Sequence, residues 1–286
     1  MILIIGGTGN IGSEVVRLLG DKGADFKVLA RDVSKAAEML GPKVNIVEGD
    51  LNAPETVFAA MAGVDKLLLV TPLHLDQVAM KSTAIQAAKQ AGVKQIVMST
   101  GIGAGPDSGV EIGRLHGKNQ EEVKAIGIPY TFLQPGNFMQ NMLMFADSIC
   151  SMGQFFLPFG DGKVAWVDAR DIASIGVLAL TQDGFENQAI SITGGKAYSC
   201  AEMADIFSEV IGKKISYVNV PLDAAKQGMM GMGMPEKLAD MMNELNALAG
   251  PGYLADTTDS VERLTGRPPR TFQQFAEDYA SAFKGE

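Results

Sequence analysis

The chain has 286 residues, 47% of them hydrophobic, and a formal charge of −9. It is long enough to bury a large core and too acidic for nucleic acid to be its main partner, because phosphate contacts need a basic face. Two cysteines, Cys150 and Cys200, make neither a disulfide framework nor a metal spacing, and two histidines, His74 and His116, argue against a histidine-based metal site. The opening residues read as a strand cut short by Gly6 rather than as a signal peptide. No apolar run reaches the ~18 residues of a membrane span. The expectation is a cytoplasmic protein that binds no nucleic acid, membrane or metal.

In chain order, strands are expected at 1–6, 25–30, 43–49, 66–71, 94–100 and 130–135, with helical patterns at about 11–22, 33–40, 54–61, 76–91 and 110–126 between them. The apolar runs are continuous, as in a parallel sheet covered on both faces. Strand–helix alternation at this spacing predicts an α/β fold with a Rossmann-like, doubly wound parallel sheet. Gly92 and Gly127 stand where helix C-caps belong. Beyond residue 135 the pattern is mixed. "GQFFLPFGDGKVAWVDARDIA" reads as a hairpin-like pair followed by a helix from about Asp168. "QAISITGG" and "KISYVNV" read as short strands flanking the helix "CAEMADIFSEVIG", and the remainder is mostly helical. The expected division is 1–135 plus about 160–182 as a dinucleotide-binding domain, with 136–159 and 183–286 as a smaller C-terminal α/β substrate domain.

The dinucleotide reading rests on "GGTGNIG", Gly6, Gly7, Thr8, Gly9, Asn10, Ile11 and Gly12, which follows a strand and opens a helix. In G-x-G-x-x-G the glycines permit a tight turn, a close backbone approach to a pyrophosphate and tight helix–strand packing. The helix N-terminus offers its free N–H groups to the phosphates. Arg31 ends the second strand where dinucleotide binders of the NAD type usually carry an acidic residue, and Lys35 follows one turn on. These cations favour a 2′-phosphate, hence NADP(H) over NAD(H). The alternative is that Arg31 stacks on adenine while Asp32 takes the ribose. Asp50 and Leu51, in "EGDL", are placed to meet the adenine edge, although Asp50 also suits a helix-cap region. Ligands of open α/β sheets bind at the carboxyl ends of strands. Thr71 and Pro72, and Ser99, Thr100 and Gly101, therefore become candidates for the nicotinamide half.

Together "GGTGNIG", "LARD", "EGDL", "GVDKLLLVTP", "STG", "HGKNQ", "GIPYTFLQPGNFMQN", "VDARDIA" and "TGRPPRTFQQFAEDYASAF" resemble the NmrA-like atypical short-chain dehydrogenases over nearly the whole chain. Within that group the resemblance is strongest to flavin-free NAD(P)H azoreductases and quinone oxidoreductases. It implies that Pro135, Gly136 and Asn137 form a nicotinamide-side loop. It also implies a place near the pocket for His116, as proton donor or as partner of a ribose or substrate oxygen, against the alternative of a satisfied structural histidine. Asn119 and Gln120 would share its helix face.

One departure is chemical. None of the five tyrosines is followed four residues on by lysine, so the Tyr-x-x-x-Lys dyad that protonates an alkoxide is missing. A quinone leaves a stabilised phenolate and an azo nitrogen can take its proton from water, so positioning supplies much of the catalysis. The expected activity is flavin-independent, NAD(P)H-dependent reduction of a small aromatic acceptor, with His116 assisting rather than essential. Of Phe138, Met139, Met142, Phe145, Phe155, Phe156 and Trp166 most are expected in the core and some to wall the acceptor site, with Phe138, Met139, Met142 and Trp166 as the candidates. Met229, Met230 and Met232 are expected either as an adaptable lid or as a helix–helix connection. The rival functions are an NADP(H)-binding regulator of a partner protein and an imine or ene reductase. The assembly is expected to be a monomer or homodimer.

Overall fold

β1 (Ile2–Ile5) and β5 (Gln95–Ser99) are buried at every residue, which is what a strand covered on both faces requires. The computed structural model describes residues 1–285. The first half alternates without interruption: β1, α1 (Asn10–Asp21), β2 (Phe26–Ala30), α2 (Val33–Leu40), β3 (Ile46–Glu48), α3 (Pro54–Ala60), β4 (Lys66–Leu69), α4 (Gln77–Ala91), β5, α5 (Glu111–Ile126) and β6 (Tyr130–Pro135). The third strand is shorter than its apolar run suggested. Gly92 closes α4 in the left-handed conformation, and Gly127 after α5 also has a positive φ.

After β6 come a 3₁₀ helix (Met139–Phe145), α6 (Ala146–Met152), β7 (Gln154–Leu157), β8 (Lys163–Val164), α7 (Ala169–Thr181) and β9 (Gln188–Ile192). Then follow β10 (Tyr198–Ser199), α8 (Cys200–Ile211), β11 (Ser216–Asn219), α9 (Leu222–Gly231), α10 (Glu236–Asn246), α11 (Ser260–Thr265), α12 (Phe272–Asp278) and α13 (Ala280–Lys284). Both α8 and α12 begin with a full capping box, Ser199 with Glu202 and Thr271 with Gln274, which satisfies two orphan donors at each start.

The chain divides into two compact units. The first comprises Met1–Gly109, Gly113–Pro135 and Ile172–Ser191; the second comprises Val110–Ile112, Gly136–Asp171 and the chain from Ile192. The return segment is thus α7 with most of β9, whereas 160–171 belong to the second unit. The first unit carries the large sheet in the order β3-β2-β1-β4-β5-β6-β9, with parallel registers from β3 through β6. The second unit packs its helices around an aromatic core that includes Phe155, Phe207, Phe272, Phe275 and Phe283.

The expected hairpin does not form. β7 pairs in parallel with β11, and β8 pairs antiparallel with β10. Tertiary partners outcompete the local turn. A Cβ on Gly162 would lie 2.1 Å from the Ala249 carbonyl oxygen, so the backbone at Gly162 is pressed against that segment. The Ala165 N–H donates to the Leu254 carbonyl at 2.8 Å, which draws β8 away from β7.

Candidate active site

In the first unit the registers align Leu29, Ile5, Leu69, Met98 and Phe132 across five strands. The segments just beyond β1, β4 and β5 therefore leave the sheet at one edge. Sequence order reverses between β1 and β4, which opens a crevice there. Gly6 has φ +86°, and a Cβ on it would sit 2.0 Å from the Val70 carbonyl oxygen. A Cβ on Gly12 would sit 2.1 Å from the Gly6 carbonyl oxygen, and one on Gly7 2.5 Å from Val28 Cγ1. These three glycines are required by the fold itself. Gly9 is different: an added Cβ meets nothing closer than 3.5 Å, and its φ of −89° suits any residue. Gly9 precedes α1, whose N-terminus has no side-chain cap and no acidic residue in its first turn. An uncapped helix start with backbone access at Gly9 fits a pyrophosphate.

One strand over, Arg31 just past β2 and Lys35 in the first turn of α2 are exposed, and neither side chain has a bonding partner among the described residues. Asp32 accepts a hydrogen bond from the Lys35 backbone N–H at 2.9 Å and caps α2. Asp50 accepts from the Asn52 N–H at 2.9 Å, so one of its oxygens shapes the turn before α3; Leu51 is buried beside it in the core. At the end of β4 the Thr71 hydroxyl is buried without a partner. A buried hydroxyl lacking a partner is costly, and this one lies on the edge where a ligand would supply it. Pro72 is exposed.

The chemistry gathers between α4, β5 and α5. Ser99 and Thr100 are buried, and Gly101 is half-buried beside the His116 ring, 3.9 Å from its Cδ2 at the built Cβ. On α5, Gln120 donates to the Thr100 hydroxyl at 3.1 Å and Asn119 donates to the Val78 carbonyl at 3.1 Å, while Asn119 Oδ1 stays unpartnered. Gly117 makes room for the loop after β5, since a Cβ there would lie 2.4 Å from the Gly105 carbonyl carbon.

Lys81, which carries no role in the sequence reading, lies at the centre of this group. It is 1% exposed and donates to the Ser99 carbonyl at 3.0 Å, with His116 Nδ1 at 3.2 Å. Burial lowers its pKa to about 7. Burial, and next the Lys81 charge, lower His116 to about 3. His116 as a residue is only half-buried, which softens the desolvation, but both causes act in one direction and favour a neutral ring at neutral pH. A signal for Lys81 exists in the sequence: it falls on the buried stripe of α4 with Gln77, Ala84, Ile85 and Ala88. A charge in the apolar register of a helix needs an explanation.

In the second unit, the Gly136 N–H donates to the Ile192 carbonyl and the Asn137 carbonyl accepts from the Val167 N–H, both at 2.9 Å; Pro135 ends β6 in the first unit. Phe138 is half-buried. Met139, Met142 and Trp166 are buried in the second unit's core, and the Trp166 indole N–H has no partner there. The 3₁₀ helix explains the methionines, because its three-residue turn puts positions i and i+3 on one face and turns both inward. Met229 and Met230 lie inside α9 and Met232 is exposed just beyond it. Lys226 ties α9 to α10 through Glu236 at 3.0 Å and Asp240 at 2.6 Å. Among the described residues no group of His, Cys, Asp or Glu is placed to hold a metal ion, and no helix is long and apolar enough to cross a membrane.

Residues 1–276 match the NmrA-like family. The chain belongs to that family. This NmrA-like chain is 56% identical to the NAD(P)H azoreductase of Xenophilus azovorans over 283 residues, 99% of each chain. Its fold superposes on the NADPH-dependent quinone oxidoreductase of Escherichia coli complexed with NADPH with a TM-score of 0.87 at 26% identity, covering 98% of this chain and 100% of the other. The triphenylmethane reductase of Citrobacter sp. complexed with NADP(H) gives a TM-score of 0.83 at 26% identity, covering 97% and 99%.

Proposed function

We propose that the protein is an NAD(P)H-dependent oxidoreductase that reduces aromatic acceptors, azo dyes or quinones, without flavin, and that it favours NADP(H). One observation carries the reading: an uncapped glycine turn open at Gly9 shares a sheet edge with a neutral histidine, in a chain without the Tyr-x-x-x-Lys dyad. The full-length similarity to an azoreductase and the likeness to a quinone oxidoreductase and a dye reductase support it. When bound, the reduced nicotinamide supplies two electrons and a hydrogen to the acceptor.

The chain's own part is placement and proton management. Residues 6–12 hold the pyrophosphate on α1, Arg31 and Lys35 meet a 2′-phosphate, and Asp50 meets the adenine edge. Thr71 donates its unpartnered hydroxyl to the ligand, and Ser99, Thr100 and Gly101 floor the nicotinamide half. His116 bonds the acceptor or hands it a proton. Placement of the acceptor against the nicotinamide accounts for most of the acceleration. The test is NADPH absorbance with an azo dye and with a naphthoquinone, with and without added flavin. Oxidation of NADPH by either acceptor without flavin is expected. His116→Ala should slow the azo dye more than the quinone, because nitrogen must be protonated. No oxidation in any combination refutes the assignment and favours a nucleotide-binding regulator.

A further inference from the structure

Lys81 is a buried cation without a counter-charge. Its ammonium touches one carbonyl, of Ser99, and one imidazole nitrogen. The charged groups around it are otherwise engaged or distant. On α5, Glu122 accepts from Ser82 and Gln86, each at 2.7 Å. On β5 its partner is the Ser99 carbonyl, and that strand carries no charged residue. β4 carries Lys66 at its opposite end, and α3 carries the exposed Glu55. A lysine placed only to tie a helix to a strand would bear the cost of burying its charge for one hydrogen bond. The contact with His116 gives the burial a use.

An ammonium has donors and no acceptor. Facing Nδ1, it requires that nitrogen to accept, and a neutral imidazole accepting at Nδ1 carries its proton on Nε2. His116 Nε2 has no partner among the described residues. A histidine that is neutral at working pH cannot act as an imidazolium acid, so delivery of its single proton would leave an unstable anion unless Nδ1 gains one.

We propose that Lys81 is the positioning residue and proton reservoir of His116: it holds the ring with Nε2–H free, and refills Nδ1 as Nε2 gives its proton to the acceptor's nitrogen. This rests on the reductase reading above. The balance closes without an added oxidant or reductant. The Lys81 Nζ–H bond breaks and an Nδ1–H bond forms. The Nε2–H bond breaks and a bond from hydrogen to the acceptor forms. The ring starts and ends neutral with its double bonds shifted, and the ammonium becomes an amine. After the product leaves, water returns a proton through Nε2 and the relay runs back.

The test has one spectroscopic and one kinetic arm. Long-range ¹H–¹⁵N correlation of the imidazoles, with His74→Gln to assign the only other histidine, should show His116 neutral with its proton on Nε2. Lys81→Met should mix the tautomers. In the kinetic arm, kcat/KM for an azo dye should fall as pH rises above about 7, where Lys81 loses its proton. Lys81→Met should remove that limb and lower the neutral-pH value by about 10²-fold, the low end for general acid catalysis. The quinone rate should change far less, and NADPH affinity should hold. Lys81→Arg, which donates a hydrogen bond but does not surrender its proton, should keep the tautomer and lose the rate. A ring with its proton on Nδ1, or a variant that keeps the parental pH profile, overturns the proposal. A parent that turns over neither acceptor overturns the reductase reading, and the relay to an acceptor with it, while the ring spectrum still decides the Lys81–His116 pairing separately.

Discussion

Arg31 and Lys81 show how burial decides what a cation does. Arg31 is exposed, unpartnered and one strand from the glycine turn, so its charge is free for a ligand. Arg31→Ala should weaken NADPH binding by about 1.5–3 kcal/mol, the worth of hydrogen bonds to a charged group, and leave NADH nearly unchanged. Calorimetry with both nucleotides measures this, and equal affinities in the unaltered protein would contradict the assignment. Lys81 is the opposite case. Its folded pKa, about 7, lies below its ordinary 10.5. Between those values the unfolded chain binds more protons than the folded one, so stability rises with pH across that window and the penalty is complete below about 7. Lys81→Met removes a buried charge and should stabilise the fold at pH 7 by about 1–4 kcal/mol. In urea unfolding that advantage should shrink as pH rises towards 10. An equal advantage at both pH values would mean that folding does not lower the Lys81 pKa.

At the scale of the element, the turn from β1 into α1 separates glycines that build the fold from Gly9, whose backbone is left open. Gly12→Ala puts a methyl 2.1 Å from the Gly6 carbonyl oxygen and 2.7 Å from its carbon. Neither backbone atom can yield, so a loss of at least about 1–3 kcal/mol in stability is expected. The Cβ that Gly9→Val adds has one protein atom within 4 Å beyond its chain neighbours, at 3.5 Å, and the variant should keep the circular dichroism spectrum and melting temperature while losing nucleotide binding. If Gly9→Val binds NADPH undiminished, the turn is not a phosphate cradle. The element scale also explains the methionines. Met139 and Met142 follow Pro135, Gly136 and Asn137 in sequence, and the 3₁₀ turn directs both into the core. Met229 and Met230 lie in α9, which Lys226 bridges to α10.

In the whole molecule, the first unit was legible because its information is local. Each β–α repeat from β1 to β6 declares itself by a continuous apolar run, a helical period and a glycine at the joint, and successive elements become neighbours in the sheet. The glycine turn, Arg31 and the ends of β4 and β5 follow from that order alone, because parallel registers carry strand ends to a common edge. The second unit was not legible in this way. β7 and β8 are four and two residues long and take their partners from β11 and β10, far along the chain, so the local pattern suggested a hairpin. Lys81 belongs to the same class. Its register on α4 marks an anomaly in the sequence, but which groups meet it depends on the packing of α4 and α5 against β5. The sheet, the glycine turn and the missing tyrosine–lysine dyad are legible in the sequence because they are patterns of neighbouring residues. Only the tertiary structure decided that His116 has a buried lysine at its back, because that contact joins residues 35 positions apart and derives its chemistry from the water it excludes.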